Sequence, residues 1–238
     1  MSLSVYSKDA IFTNTVSSLA APNKEGLVGE WFFGVDLESS VINRAGGLPL
    51  TKLGNAATYF DGYVKLAPTG GSYGFNSFIT PITPKYDGGL TIIAVARNTS
   101  GTGFANIYNC QFSGKNLGVF ETAAPSLAYY NGTSVLTETA QTAIPDIAAK
   151  WSVIATTGGR DEFGKINLWQ DGIKTSGTAP NKGFRSVGTT ETFKLVNDVS
   201  TDYNLAYVAI YERTLTDIEL DNVYAGLKGI LKLRGVVL

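Results

Sequence analysis

The sequence predicts an all-β protein, an antiparallel two-sheet sandwich or jelly roll with one short C-terminal helix. About a dozen short segments are rich in β-branched and aromatic residues, and turn-forming glycine, proline or asparagine separates them. Only one segment, which follows Tyr211, repeats its apolar residues at helical spacing. The 238 residues are enough for one large domain whose core needs no disulfide or metal to hold it together.

The first half of the chain is a series of predicted strands closed by turns. Gly26–Phe33 begins the series, and Ala56–Phe60 and Tyr63–Leu66 form a hairpin around Asp61-Gly62. Leu90–Arg97 is apolar on both faces up to its last residue. Such a strand is typical of a sheet that is covered on both sides.

Three further strands are predicted in the middle of the chain, at Ala105–Gln111, Asn116–Glu121 and Ser126–Tyr130. Asn131-Gly132 has the composition of a tight hairpin turn, because both residues tolerate a positive φ. We therefore expect the chain to reverse there and to continue as a strand over Thr133–Thr137.

Trp151–Lys174 is the segment around which we expect the sandwich to be organised. Trp151–Thr157 and Lys165–Gln170 are predicted to pair as a hairpin across the polar turn Gly158–Gly164. Asp171-Gly172 then forms a second tight turn. The first strand carries apolar residues on both faces, which places it inside a stack of layers.

The last part of the chain contains two predicted strands, Phe193–Val196 and Leu205–Tyr211, followed by the helix. Thr216–Glu219 has the pattern of a capping box, and an apolar stripe follows it at helical spacing. Gly229 is predicted to end the helix. The stripe consists of Leu220, Val223, Tyr224 and Leu227.

The predicted domain organisation is an N-terminal arm at 1–25, the sandwich at 26–229 and an apolar tail at 230–238. We expect the tail to pair with a sheet or to be covered by a partner, because an exposed apolar edge promotes aggregation. Met1–Ala10 contains Lys8 and Asp9 but no apolar core, so no signal peptide is expected. No apolar run is long enough to cross a bilayer, so no membrane insertion is expected.

The composition excludes several classes of function. The 19 basic and 20 acidic residues give a net charge of -1, which argues against a nucleic-acid surface. The chain has no histidine, so serine–histidine and cysteine–histidine catalysis are excluded. Cys110 is the single cysteine, so no intramolecular disulfide can form. No glycine-rich phosphate-binding motif leads into a helix, and no cofactor is predicted.

Several segments, taken in order, resemble the laminin-G-like group of the concanavalin A-like lectin/glucanase fold. The resemblance extends over 26–227 and includes the sequences GLVGEWFF, ATYFDGYVKL and LAYVAIYERTLTDIELDNVY. It implies a two-sheet antiparallel jelly-roll sandwich that hosts lectins, adhesion modules and glycosidases alike. The segments are Gly26–Phe33, Ala57–Leu66, Leu90–Arg97, Trp151–Gly172 and Leu205–Tyr224.

The resemblance does not imply catalytic residues in this chain. Glucanase relatives of this fold carry the Glu-x-Asp-x-Glu motif on one strand, and the motif is absent here. Many members of the fold bind calcium through loop carboxylates. Loop aspartates such as Asp61 and Asp171 precede glycine and are explained as turn residues. We therefore predict neither catalysis nor a metal site.

The candidate ligand residues are aromatic side chains with an amide nearby, which is the usual equipment of a sugar site. Asn167 and Trp169 share one face of a strand, so they are candidates for lining a concave sheet. The alternative is that these aromatic residues pack in the core or at sheet edges, as we expect for Trp31 and Trp151. The candidates are Tyr73, Asn76, Tyr108, Asn109, Tyr129, Tyr130, Asn131, Asn167 and Trp169.

The function predicted from the sequence is a non-catalytic recognition module that binds cell-surface carbohydrate. A sandwich of this kind with an arm and an apolar tail resembles the receptor-binding or fibre-tip domains of bacteriophage tails. That resemblance implies a virion protein made in the host cytoplasm, a homo-oligomer whose partners are host polysaccharide and other tail proteins. Two alternatives remain open: a structural virion assembly protein without a glycan site, and a polysaccharide depolymerase with a carboxylate pair between protomers.

Overall fold

The computed structural model describes residues 24–54, 57–67, 77–84, 89–99, 105–112, 115–121, 126–133, 140–143, 150–159, 161–182, 192–197 and 202–238. Two helices lie among them, α1 (Leu37–Val41) and α2 (Asp217–Leu233). The strands are β1 (Leu27–Phe32), β2 (Thr51–Leu53), β3 (Ala57–Phe60), β4 (Tyr63–Leu66), β5 (Ser77–Ile79), β6 (Leu90–Asn98), β7 (Ala105–Phe112), β8 (Lys115–Glu121), β9 (Ser126–Thr133), β10 (Ala140–Ala143), β11 (Ser152–Gly158), β12 (Phe163–Gln170), β13 (Ile173–Lys182), β14 (Lys194–Asn197) and β15 (Tyr203–Tyr211).

The described strands form two antiparallel sheets. Sheet A has the order β13-β12-β11-β6-β15-β4-β3, with β1 paired to β15 as well. Sheet B has the order β10-β9-β8-β7-β14-β5-β2. The predicted all-β sandwich with a C-terminal helix is thereby confirmed.

Sheet A lies between two apolar cores. Alternate residues of its central strands, such as Ile92 and Ile154, face sheet B in the inner core. Their neighbours, such as Ile93 and Val153, face α2 in the outer core. This layering explains why the central strands are apolar on both faces, as the sequence predicted. Trp31 lies in the inner core, so its assignment to the core is confirmed.

The hairpin predicted within 151–174 is present in sheet A. β11 pairs with β12, and the chain then turns tightly through Asp171 and Gly172 into β13. Both turn residues have positive φ, 51° and 78°, which matches the backbone twist that a two-residue hairpin needs. Trp151 precedes β11 and lies in the outer core.

The turn predicted at Asn131-Gly132 is wrong. Both residues lie inside β9, which continues to pair with β8 beyond them. Asn131 is opposite Leu117 and Thr133 is opposite Asn116, so Gly132 is the extra residue of a bulge. The long-range pairing with β8 therefore overrides the local turn preference. The rest of the strand predicted there, 134–137, lies outside the described residues.

The helix starts at the predicted capping box but does not end at Gly229. It continues to Leu233, and the chain leaves it through Gly235, whose φ is +75°. Leu231 and Val236 are fully buried in the outer core, so the tail packs on its own domain. The expectation that the tail pairs with a sheet or needs a partner is wrong for these two residues, because α2 and the turn that follows it place them in the outer core.

The edges of the two sheets meet on one side of the sandwich. Thr142 on β10 donates a hydrogen bond to Thr175 on β13, with 3.0 Å between the hydroxyl oxygens. Gly177 on β13 lies directly against the main chain of Gln141 on β10. A glycine is required at this position, because a side chain would collide with that backbone.

None of the helices in the described part of the chain is long and apolar enough to cross a lipid bilayer. The predicted N-terminal arm lies outside the described residues except for Lys24 and Glu25.

Candidate functional site

Tyr108, a predicted ligand residue, is a core residue. Its side chain is fully buried between the sheets, and its hydroxyl hydrogen-bonds with that of Thr156. Burial raises the pKa of Tyr108, so the hydroxyl stays protonated. The prediction that it contacts a ligand is corrected, because no part of the ring reaches the surface.

Trp169 and Asn167 are together on the outer face of sheet A, but α2 covers them. Trp169 stacks on Tyr224 of α2 with ring centroids 5.5 Å apart, and the Lys174 ammonium lies 4.8 Å from its ring centre. Asn167 is also buried, and its side-chain oxygen accepts a hydrogen bond from Ser176 at 2.6 Å. The predicted open concave surface is wrong, because the helix packs on that face.

The remaining predicted residues are on sheet B or outside the described residues. Asn109 and Tyr130 are opposite Gly118 on its two sides, so they form one row across β7, β8 and β9. Tyr129 and Asn131 occupy the neighbouring positions of β9. Their contact with a ligand stays a prediction. Tyr73 and Asn76 lie outside the described residues.

A cleft that the sequence did not predict lies where the hairpin of β11 and β12 approaches the start of α2. It encloses about 440 Å³. We call it the hairpin cleft. Its floor and turn side are formed by Thr157, Asp161, Glu162, Phe163 and Lys165, and its opposite wall by Thr214, Leu215, Thr216 and Asp217.

The floor of the hairpin cleft follows from the alternation of side chains along β12. Phe163 and Lys165 are on the same face as Trp169, but beyond the part of the strand that α2 covers. Phe163 is consequently 40% exposed. Thr157 pairs with Lys165 across the hairpin and is only 3% exposed.

Hydrogen bonds from two central strands hold the opposite wall of the cleft in place. The hydroxyl of Thr91 on β6 donates to the carbonyl of Arg213 at 2.8 Å and accepts from the Leu215 amide at 2.9 Å. The hydroxyl of Thr214 donates to the carbonyl of Gly158 at 3.3 Å. The wall is therefore fixed to sheet A through both β6 and β11.

The start of α2 carries a capping box formed by its own side chains. The Thr216 hydroxyl accepts from the Glu219 amide at 3.3 Å, and Glu219 Oε2 accepts from the Thr216 amide at 2.8 Å. Arg213 Nη2 donates to Glu219 Oε1 at 2.7 Å. This hydrogen bond, together with those from Thr216, lowers the pKa of Glu219 to about 2. Glu219 is therefore ionised and already engaged within the wall.

The chemistry of the hairpin cleft combines one apolar ring with hydrogen-bonding groups. Phe163 offers a flat surface, and the carboxylates of Asp161, Glu162 and Asp217 offer acceptors around it. Among the described residues, no group of three or more acidic, cysteine or histidine side chains is arranged to hold a metal ion.

The sequence did not reveal the cleft because its two sides are distant in the chain. Phe163 was assigned to a polar turn, and Asp217 to the solvent face of a helix. An aromatic residue beside two acids at a hairpin end was a signal for a binding site. The sequence did not show which element would stand opposite it.

No protein-family model and no curated protein sequence matches the chain. Among solved structures, the chain is similar to Trypanosoma rangeli sialidase in complex with sialic acid, with a TM-score of 0.61 and 15% identity. The match covers 87% of this chain and 33% of the sialidase. It is also similar to the binding domain of botulinum neurotoxin DC in complex with SialylT, with a TM-score of 0.61 and 11% identity, covering 86% and 52%.

A third similar structure is the botulinum neurotoxin serotype D binding domain, with a TM-score of 0.61, 10% identity and coverage of 85% and 52%. At these identities the likeness establishes a shared β-sandwich fold. The chain spans about a third of the sialidase and about half of the neurotoxin domains.

Proposed function

We propose that the protein is a non-catalytic recognition module that binds carbohydrate in the hairpin cleft. The observation that carries the proposal is that Phe163, 40% exposed, lines the cleft together with Thr157 and the carboxylates of Asp161, Glu162 and Asp217. The exposed ring offers an apolar surface for burial, and the polar groups beside it offer hydrogen bonds. A ligand with an apolar face and a polar edge satisfies both.

A sugar ring has these two surfaces. Its C–H groups pack against an aromatic face, and its hydroxyls donate to carboxylates or accept from a threonine. The cleft supplies the acceptors on the turn side through Asp161 and Glu162, and on the helix side through Asp217. Since the opposite wall is fixed before binding, little conformational entropy is lost when the ligand enters.

The similar structures support the proposal at the level of the fold. The sialidase was solved with sialic acid and the neurotoxin DC domain with SialylT. The same fold can host different functions, so the case for this chain rests on the cleft itself.

The biological setting we propose is a bacteriophage tail fibre or tail tip, as the sequence resemblance implies. The host cell-surface polysaccharide is the ligand, and other tail proteins are the structural partners. Several weak sites on one homo-oligomer would then bind a repetitive polymer tightly, because each further contact is intramolecular.

The test is binding of the purified protein to a panel of extracted bacterial surface polysaccharides. We expect saturable binding to at least one, and Phe163→Ala should weaken it by about tenfold, which corresponds to about 1.4 kcal/mol. Phe60→Ala is the matched control, because Phe60 is also 40% exposed but is on β3, at the opposite edge of sheet A. Equal affinity of Phe163→Ala and the unchanged protein would contradict the proposal.

The same incubation tests the two alternatives. New reducing ends that disappear in Asp217→Asn would identify a depolymerase and overturn the non-catalytic assignment, since carboxylates on two sides of a cleft are what glycoside hydrolysis requires. If no polysaccharide in the panel binds, the structural assembly role becomes the better explanation.

A further inference from the structure

We infer that the hairpin cleft selects uncharged carbohydrate and rejects chains that carry sialic or uronic acids. This inference rests on the proposed function, because it names the class of ligand for the same cleft. It also separates this protein from the structures it resembles, two of which were solved with sialic acid or SialylT.

The described lining residues of the cleft carry more negative than positive charge. Asp161 and Glu162 on the turn and Asp217 on α2 are acidic, whereas Lys165 is the single basic residue among the described lining residues. None of the three carboxylates forms an ion pair with another described residue. No described residue therefore neutralises their charge, in contrast to that of Glu219, which pairs with Arg213.

The capping box already occupies part of the start of α2. The amide groups at a helix start attract negative charge when they are unoccupied. Here the Glu219 amide donates to Thr216, and the Thr216 amide donates to Glu219. A ligand carboxylate would meet a helix start whose capping box is already formed, and Lys165 would be its only cationic partner among the described lining residues.

The same carboxylates are good partners for neutral sugars. Ionised carboxylates accept hydrogen bonds from hydroxyls more strongly than neutral acceptors do. The Thr157 hydroxyl, buried at the floor, can donate to or accept from another hydroxyl. A cleft that forms hydrogen bonds with hydroxyls and repels carboxylates therefore distinguishes neutral from acidic sugars by both attraction and repulsion.

The test compares acidic bacterial polysaccharides in native form with the same polymers after chemical reduction of their carboxyl groups to alcohols. Each pair has the same backbone and differs in charge. We expect the unchanged protein to bind the reduced form at least about tenfold more tightly at low salt, and the ratio to shrink as salt is added, because salt screens the repulsion.

Variants locate the discrimination in the cleft. The double variant Asp161→Asn, Glu162→Gln should bring the affinities for the reduced and the native polymer closer together. Lys165→Gln should leave the ratio of these two affinities unchanged or increase it. Asp161 and Glu162 are exposed turn residues, so thermal denaturation should confirm that the double variant stays folded. An unchanged ratio in the double variant would overturn the inference.

The outcomes distinguish this inference from the proposed function. Tighter binding of the native acidic polymers, still weakened by Phe163→Ala, would overturn the inference and leave the cleft as the binding site. Absence of binding to both forms across the panel would overturn the proposed function, and the inference with it.

Discussion

Replacement of Glu30 by glutamine should stabilise the protein at neutral pH. Glu30 is fully buried on the outer face of sheet A. Its Oε1 accepts a hydrogen bond from the Tyr207 hydroxyl at 3.0 Å, while its Oε2 has no hydrogen-bond partner among the described residues. Burial raises the pKa of Glu30 above its usual 4.5, although Tyr207, Lys24 and Arg44 act in the opposite direction.

The expected size of the stabilisation follows from which hydrogen-bonding groups of Glu30 glutamine retains and which it replaces. Glu30→Gln retains an oxygen to accept from Tyr207 and replaces the unpaired, ionisable oxygen with a neutral amide nitrogen. A buried polar group without a partner costs about 1–3 kcal/mol, and more when it is charged. We therefore expect the free energy of unfolding to rise by about 1–2 kcal/mol near pH 7.

The pH dependence gives the sign of the effect. Burial raises the folded-state pKa of Glu30, so the folded protein favours the protonated carboxyl. The stability that depends on this proton is fully present below about 4.5 and is lost as the pH rises through the folded-state pKa. The advantage of Glu30→Gln in urea denaturation should thus be large near pH 7 and small near pH 4. Glu38→Gln is the control, because Glu38 is exposed on α1. The same advantage at both pH values, or a loss of stability near pH 7, would refute the reasoning.

Three further substitutions test the local structure by urea denaturation. Thr216→Ala should lower the free energy of unfolding by about 1 kcal/mol, because it removes the N-cap of α2, and Thr216→Ser should restore most of it. Gly229→Ala should raise the free energy of unfolding by about 0.5–1 kcal/mol, since Gly229 is inside α2 with open space around it. Gly177→Ala should lower it by about 1–3 kcal/mol, because the added methyl group meets the main chain of Gln141. Effects of the opposite sign would contradict each assignment.

Local sequence signals correctly predicted the elements whose structure is determined by a few residues adjacent in the sequence. The hairpin turn at Asp171-Gly172 and the capping box at Thr216 both form as expected, because only a few adjacent residues determine them. Asn131-Gly132 has an equally strong local signal, yet it lies within β9 because pairing with β8 outweighs it. Gly229 likewise fails to end α2, since Leu231 gains more from burial in the outer core than the glycine costs.

The candidate site was harder to predict because it depends on which layer covers which face. Trp169 and Asn167 were correctly placed on one face, but the sequence did not show that α2 packs on it. Phe163, on the same face at the start of β12, is 40% exposed. Exposure along one strand therefore depends on the length and position of a helix whose start is about 50 residues away, which no local pattern encodes.

The contact between β10 and β13 has a consequence for how copies of this domain associate. Exposed edge strands recruit extended strands from other molecules, and this recruitment begins many aggregation processes. At Gly177 and Gln141 each edge lies against the other, so main-chain recruitment is blocked there without a charged side chain or a proline. Among the described strands, main-chain strand addition is then left to the edges away from this contact, which are β2 in sheet B and β1 and β3 in sheet A.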